Sequence, residues 1–490
     1  MDHMRLGRMD SVLVAAACAW LLVVAGCGSR PAPATQHSIS SAAAEAEEFK
    51  QSFSRRGPNP TGASNPALSS ETRPYELGEK TSLEAVLRSA AANSPEAAAA
   101  RSKWEASTYR KGQVFTLPDP KLMFTYYVRM MMPADREWEI GLSQEIPYPG
   151  SLVIAGKMAD REAQAAYLRY QAAVRDAIAM TKEAFFELHY IDRARQVTGE
   201  IAKLYDRYAA LAAGGDEKAR PKLPETFRAE ALRAQLANDL IVYQEMRAAT
   251  EEKLRAAAGL PAGAALGPVE DVADPAPLTE SLVKLQERAE AANQELAAAG
   301  LDVERAQLQT RLARRAPIPS LMLGAGYMRT GDMPGEKDPT KDMVMLNVGF
   351  SLPIWFGKYI AQAREARAME AAARQEADAW RLKLRAELAE AFFRLNNSSR
   401  LTRLYRDTLL PQARQALQSA EELYRRGEAN LASVLETTAT VHSFELAALR
   451  AKADFYQNVA RVEKLVGTAL ELRPRAGPEA DVPPVKEGAP

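Results

Sequence analysis

Four short stretches of the chain alternate between apolar and polar or small positions: Lys121–Met131, Glu137–Pro147, Ser320–Arg329 and Met343–Pro353. Leu122, Phe124, Tyr126 and Val128 share one face of the first, and Trp138, Ile140 and Leu142 one face of the second. Leu321, Leu323, Ala325 and Tyr327 form a third stripe, and Val344, Leu346, Val348 and Phe350 a fourth. The opposite positions carry Arg129, Glu137, Glu139, Ser143, Asn347 and several glycines. A period of two predicts strands with one apolar face. Each is about ten or eleven residues, the length a tilted membrane-crossing strand needs. A half-buried sheet in water alternates identically, so the pattern defines strands before it defines their solvent. Aromatic residues within the stripes and polar opposite faces favour lipid.

Elsewhere the period is that of a helix. Leu388, Ala391, Phe392 and Leu395 recur at i, i+3, i+4 and i+7, as do Ala413, Ala416, Leu417, Ala420 and Tyr424. Ile201, Leu204, Tyr205, Tyr208 and Leu211 do the same earlier in the chain. From Ser151 to Ala213 nothing interrupts the pattern, and an unbroken helix there would extend about 95 Å. Pro411 should kink or locally unwind its later counterpart. Flanking helices over about 82–113 and 225–259 together match one long helix, stacked end to end against it.

The whole arrangement occurs twice. Asn93-Ser94-Pro95-Glu96 is echoed by Asn293-Gln294-Glu295, and Pro118-Asp119-Pro120 by Pro317-Ile318-Pro319. Gly150 matches Gly357, and Ala184-Phe185-Phe186 matches Ala391-Phe392-Phe393. The offset lengthens between these landmarks, where the second copy carries a longer hairpin loop, Thr330–Asp342. Each copy reads helix, two strands, very long helix, helix. The expected organisation is a first repeat over 81–270, a second over 271–470 and a loose tail over 471–490.

The first 80 residues read differently. Val12–Val24 is almost wholly apolar but too short to span a bilayer, and it leads through Val24-Ala25-Gly26 to Cys27. This resembles a lipoprotein signal over 1–26, cut before a cysteine that is then acylated. Asp2 and Asp10 offset Arg5 and Arg8, and a start at Met4 would restore a more positive leader. Cleavage would remove Cys18 and acylation would consume Cys27, leaving neither thiol nor disulfide. By resemblance to lipoprotein sorting, Gly28 favours the outer membrane. Residues 27–80 are rich in Ser, Ala, Pro and Gly and read as a tether, with one short helix near Ala42–Phe53.

Composition then excludes more than it names. Lys+Arg and Asp+Glu both number 63, which argues against nucleic acid as a partner. Two cysteines and four histidines offer little for a zinc centre. No nucleophile, carboxylate pair or phosphate loop stands in a convincing setting, so neither an enzyme nor a cofactor is expected. Gly324-x-Gly326 lies inside a strand and lacks the helix a nucleotide motif needs. His189 sits one turn from Phe185 and reads as a wall residue rather than a ligand. Met123, Met130, Met131, Met132, Met322, Met328, Met333, Met343 and Met345 cluster around the strands. Thioethers suit soft ions such as Cu(I), and they also fill apolar gaps.

Four strands cannot close a barrel, and an open edge in lipid leaves backbone groups unpaired at several kcal/mol each. Membrane barrels begin at about eight strands, so a shared barrel is expected, of about eight strands for a dimer or about twelve for a trimer. At this point the residues resemble the TolC-type outer-membrane efflux family. The resemblance rests on Leu117-Pro118-Asp119-Pro120, Ser143-Gln144-Glu145-Ile146-Pro147-Tyr148-Pro149-Gly150, Phe350-Ser351-Leu352-Pro353 with Gly357-Lys358, and Tyr424-Arg425-Arg426-Gly427-Glu428-Ala429-Asn430-Leu431, besides the lipobox. It covers about residues 80–467.

The resemblance implies a mainly α fold with a small transmembrane β part. It implies a homotrimer whose twelve-stranded barrel, four strands per chain, continues into a long α-helical periplasmic tunnel. It also implies a periplasmic adaptor (membrane fusion) protein and an inner-membrane pump, here expected to be of RND type. The Tyr424–Glu436 turn would be the tip for adaptor docking and gating, with Asp206, Arg207, Tyr424, Arg425, Arg426, Gly427, Glu428 and Asn430 as candidates. The matching first-copy stretch departs from the pattern at Gly214-Gly215-Asp216-Glu217-Lys218-Ala219-Arg220-Pro221-Lys222-Leu223-Pro224. The cargo expected is metal ions or small toxic compounds. An ABC-coupled secretion duct, or a periplasmic coiled-coil scaffold lipoprotein without a channel, are the alternatives.

Overall fold

The computed structural model describes residues 80–128, 136–213, 223–276, 278, 280–330 and 342–470. The signal, Cys27, the tether, Arg129, Met130, Met131, Met132, Met333, the second hairpin loop over 331–341, the Gly214–Lys222 turn and the tail lie outside these residues. In chain order the elements are α1 (Leu83–Asn93), α2 (Pro95–Phe115), β1 (Lys121–Tyr126), β2 (Arg136–Ile146), α3 (Pro149–Ala213) and α4 (Leu223–Ala258). The second set is α5 (Leu282–Ala292), α6 (Gln294–Arg315), β3 (Leu321–Thr330), β4 (Met343–Phe350), α7 (Phe356–Leu404), a π-helical turn (Tyr405–Leu409), α8 (Leu410–Arg425) and α9 (Leu431–Val466). The fold is mainly helical with one small antiparallel sheet.

α3 runs unbroken for 65 residues, about 97 Å. Its counterpart does not. Pro411 lacks an N–H, and its ring would press on the carbonyl of Asp407. The chain answers with the π turn immediately before it, where Leu410 N–H reaches back to the Tyr405 carbonyl.

One expectation is corrected. The helix anticipated over about 82–113 is two helices, broken at Ser94, whose ψ of 123° is extended. Proline at the next position disfavours helical backbone at its predecessor. The second copy breaks at the same place without proline: Asn293 is extended, and its side chain accepts the Leu296 N–H at 2.9 Å. Each break is covered from within its own copy. Gly259 (φ +62°) lies so close that a Cβ would sit 2.3 Å from the Asn93 carbonyl oxygen. Gly467 (φ +81°) stands in the same relation to the Ala292 oxygen, at 2.6 Å. Only glycine fits such a turn against backbone.

Neighbour order is the same in every layer. The sheet runs β1-β2-β3-β4, all antiparallel. Beside it, α3 packs between α2 and α6, and α7 packs on the far side of α6. Toward the other end, α3 packs between α4 and α9, with α7 and α8 against α9. Three apolar clusters line this slab. Leu388, Leu395, Phe455 and Val462 form one, Val86, Phe185, Leu188 and Leu254 another, and Tyr205, Leu431, Val434 and Leu435 the third. The segment joining the copies is held to the slab by Lys452 Nζ on the Val272 carbonyl (2.6 Å) and Tyr456 Oη on the Ala273 carbonyl (2.9 Å).

Candidate transmembrane sheet and helical tip

The strand register converts four separate stripes into one surface. Leu122 pairs with Leu142, Leu142 with Ala325, and Ala325 with Leu346. The next row is Phe124, Ile140, Tyr327 and Val344. Leu321 lies between Ile146 and Phe350, and Leu323 between Gln144 and Val348. Tyr126 pairs with Trp138, and Trp138 stacks against Phe124 and Tyr327, with ring centroids 6.2 and 5.6 Å apart. Aromatic and β-branched cross-strand pairs hold such a face together. Much of it is bare: Leu346 is 82% exposed, and Leu122, Phe124, Tyr126, Val344, Val348 and Phe350 are all exposed, whereas Leu321, Leu323 and Trp138 are half-buried.

The opposite face carries Lys121, Thr125, Glu139, Ser143, Glu145 and Asn347. Tyr127 Oη donates to Glu139 Oε2 at 3.2 Å. β1 and β4 are shorter than the alternation suggests. Tyr127 N–H still bonds the Glu137 carbonyl past the end of β1. β4 ends at Phe350 because Pro353 has no N–H to donate and Ile354 N–H turns back onto Leu352.

At the other end of the long helices, α3 with α4 and α8 with α9 form two hairpins packed on each other. Tyr205 and Tyr208 are buried between them; Tyr205 Oη donates to the Leu435 carbonyl at 3.1 Å and Tyr208 Oη to Glu421 Oε1 at 2.5 Å. Burial first, and the Glu421 hydrogen bond second, push the Tyr208 phenol up; burial does the same to Tyr205.

The turn between α8 and α9 closes on Gly427 (φ +75°), with Gly427 N–H on the Tyr424 carbonyl and Glu428 N–H on the Leu423 carbonyl. Asn430 caps α9, accepting the Ser433 N–H at 3.0 Å. Asp206 pairs with Arg233 at 3.2 Å and Arg425 lies 3.8 Å from Glu421, all well exposed apart from Glu421. Arg207, Arg426 and Glu428 are exposed and make no ion pair with a described residue. Within one chain the candidate charges therefore pair with Arg233 and Glu421, not with one another. Sequence reasoning missed Tyr208, Glu421 and Arg233; only the helical stripe containing Tyr208 hinted at them.

His189 is buried, with Nε2 3.5 Å from Asp271 Oδ1. Burial lowers its basicity against the pull of Asp271. Asp271 is held below the usual carboxylate range, chiefly by its hydrogen bond from Arg193. His442, also made less basic by burial, meets Thr198 Oγ1 at 3.0 Å. Among the described residues, no helix is long and apolar enough to cross a membrane. No group of three His, Cys, Asp or Glu among them could hold a metal ion.

A small sheet with one exposed apolar face, joined to helices of such length, is an architecture found in solved outer membrane channels. Residues 285–468 match the outer membrane efflux protein family. The solved structures agree in fold. VceC of Vibrio cholerae, an outer membrane protein, is 18% identical, with a TM-score of 0.66 over 79% of this chain and 97% of that one. The open outer membrane channel MtrE of Neisseria gonorrhoeae is 17% identical, with a TM-score of 0.66 over 80% and 91%. The Campylobacter jejuni outer membrane channel CmeC is 16% identical, with a TM-score of 0.61 over 80% and 87%. No curated protein sequence matches the chain. In fold the chain is similar to these outer membrane channels along most of its length, and its second half carries the match to the efflux protein family.

Proposed function

We propose that three copies of this chain close into an exit duct through the outer membrane. The duct would form one component of a tripartite system with a periplasmic adaptor and an inner-membrane pump of RND type. The observation that carries this reading is the shared open edge. β1, α2 and α4 end the slab on one side, and β4, α7 and α8 on the other, in all three layers. Because the strands alternate in direction and are even in number, β4 of one copy meets β1 of the next antiparallel. The ring then closes without a parallel seam, and lipid sees no unpaired edge.

The helices at both edges also carry exposed apolar residues: Tyr109, Phe227, Ile241 and Met246 on α2 and α4, and Met369, Trp380, Leu382 and Phe393 on α7. The rows from Leu122 to Phe350 would face lipid, and Cys27 would add an acyl anchor. A Cys27→Ala chain should still form the barrel, since the strands supply insertion themselves. The tip hairpins, with Asp206, Arg207 and the Tyr424–Asn430 turn, would meet the adaptor and set the aperture. Transport would need no chemistry in this chain, and the cargo would be metal ions or small toxic compounds. Detergent extracts of outer membranes should yield heat-modifiable trimers that conduct in planar bilayers. A mature protein that stays a soluble monomer without detergent would overturn the reading.

A further inference from the structure

All five strand methionines in the described residues lie on one side of the sheet, and it is not the apolar one. Met123, Met322, Met328, Met343 and Met345 share that face with Lys121, Thr125, Glu139, Ser143, Glu145 and Asn347, and Met328 and Met343 stand in one row with Thr125 and Glu139. The stripe face is built mostly of Leu, Val, Ile, Ala, Phe, Tyr and Trp, with Gln144 and Arg329 as polar exceptions, and holds no methionine among the described residues. Methionine serving as a generic apolar filler would be expected among those stripes. Its segregation with the polar residues calls for a different reason.

The geometry is local as well as periodic. Met328 is fully buried and stands directly between Glu139 on β2 and Met343 on β4. Met345 follows two residues after Met343 on the same face, opposite Gly326, which in turn faces Gly141. These two positions carry no side chain, and Gly326 is itself buried beneath its neighbours' side chains. A Cβ placed on Gly326 would lie 3.5 Å from the Met345 terminal methyl and 3.8 Å from Glu139 Oε1. A thioether and a carboxylate thus converge over that glycine. Directly opposed and diagonal cross-strand positions are within reach of long side chains.

We propose that Met328, Met343, Met345 and Glu139 form a weak binding site for a soft monovalent cation, Cu(I) or Ag(I), on the lumen wall of the barrel. Thioethers select soft ions, and Glu139, held by Tyr127, supplies the balancing charge. Three copies place three such sites around the lumen. Met123 and Met322 on the same face extend the thioether surface, so that an ion moves along the wall without being trapped. This rests on the channel reading, since that reading decides which face is the lumen.

The test uses the full-length trimer in detergent, in chloride-free nitrate buffer, with Ag(I) as the probe. Trimer formation and bilayer conductance are established first; their absence overturns the channel reading and the lumen site with it. Ag(I) is then titrated by calorimetry, and methyl-labelled methionine resonances are followed by NMR. Met328, Met343 and Met345 should shift together. The volume-conserving M328L/M343L/M345L variant should conduct normally and bind Ag(I) roughly tenfold or more weakly. A conducting wild-type trimer that takes up no Ag(I), or unchanged affinity in the triple variant, refutes the site.

Discussion

Phe186 and Phe393 occupy the same place in the two copies, in Ala184-Phe185-Phe186 and Ala391-Phe392-Phe393. Phe186 is 5% exposed and stacks on Tyr456 with ring centroids 4.9 Å apart, whereas Phe393 is 66% exposed. The difference lies in the neighbours. α3 is flanked on both sides along its length, by α2 and α4 of its own copy and by α6 and α9 of the other. α7 has α6 and α9 on one side and no helix of the described residues on the other. In the proposed trimer, α2 and α4 of the next copy would cover this face of α7 as α2 and α4 of the same copy cover α3. A helix that is apolar where it meets solvent marks an interaction surface.

The largest effects should separate those two phenylalanines. Phe186→Ala removes a buried ring, and thermal unfolding should report a loss of about 3–5 kcal/mol. Phe393→Ala should leave protomer stability within about 0.5 kcal/mol while lowering the temperature at which trimers dissociate on gels. Equal effects on both measurements would erase the comparison.

Smaller effects should appear where the copies agree. Gly259→Ala and Gly467→Ala each combine a left-handed backbone with a carbonyl in the way and should cost about 2–4 kcal/mol in denaturant titrations. Gly427→Ala meets nothing within 4 Å, so only the backbone term remains, about 1–2 kcal/mol. Tyr208→Phe breaks the link from the first tip hairpin to Glu421 on the second, which is worth about 1–2 kcal/mol. Its clearest readout should be a raised single-channel conductance as the tip loosens.

The smallest effect concerns pH. His189 and His442 are both less basic folded than unfolded, so the unfolded chain binds more protons as pH falls below about 6.5. Stability should therefore decline on acidification from there toward their lower folded values. His442→Gln should flatten that slope in melting curves recorded across the range.

Much of this was legible in the sequence because it is periodic. The stripes beginning at Leu122 and Leu321 appear as one face in the register, and the uninterrupted pattern from Ser151 to Ala213 lies inside a single helix. Pro411 marked its π turn through a missing donor. Lateral order left no such mark. Nothing in the spacing says that α3 is interior and α7 an edge, because both carry the same Ala-Phe-Phe signature. The break at Asn293 was hidden for a related reason: asparagine continues a helix or caps one according to its neighbours. At the tip, Tyr208 and Glu421 come from different copies, a contact that no local pattern encodes.

In the proposed trimer, copies join as the two repeats join, with β4 meeting the next β1 as β2 meets β3. Aligning Leu122 with Leu321, and Pro147 with Pro353, turns the observed pair Gln144–Leu323 into an intermolecular pair, Phe350 with Phe124. Within one chain these positions are three strand spacings apart laterally, about 14 Å, and six residues apart along the strand, about 20 Å, beyond disulfide reach. A Phe124→Cys/Phe350→Cys chain, oxidised in membranes, should give a covalent ladder up to trimer on non-reducing gels. Phe124→Cys/Val344→Cys, displaced by about 20 Å along the strand, should not. No ladder from the first pair, or equal ladders from both, would contradict the account.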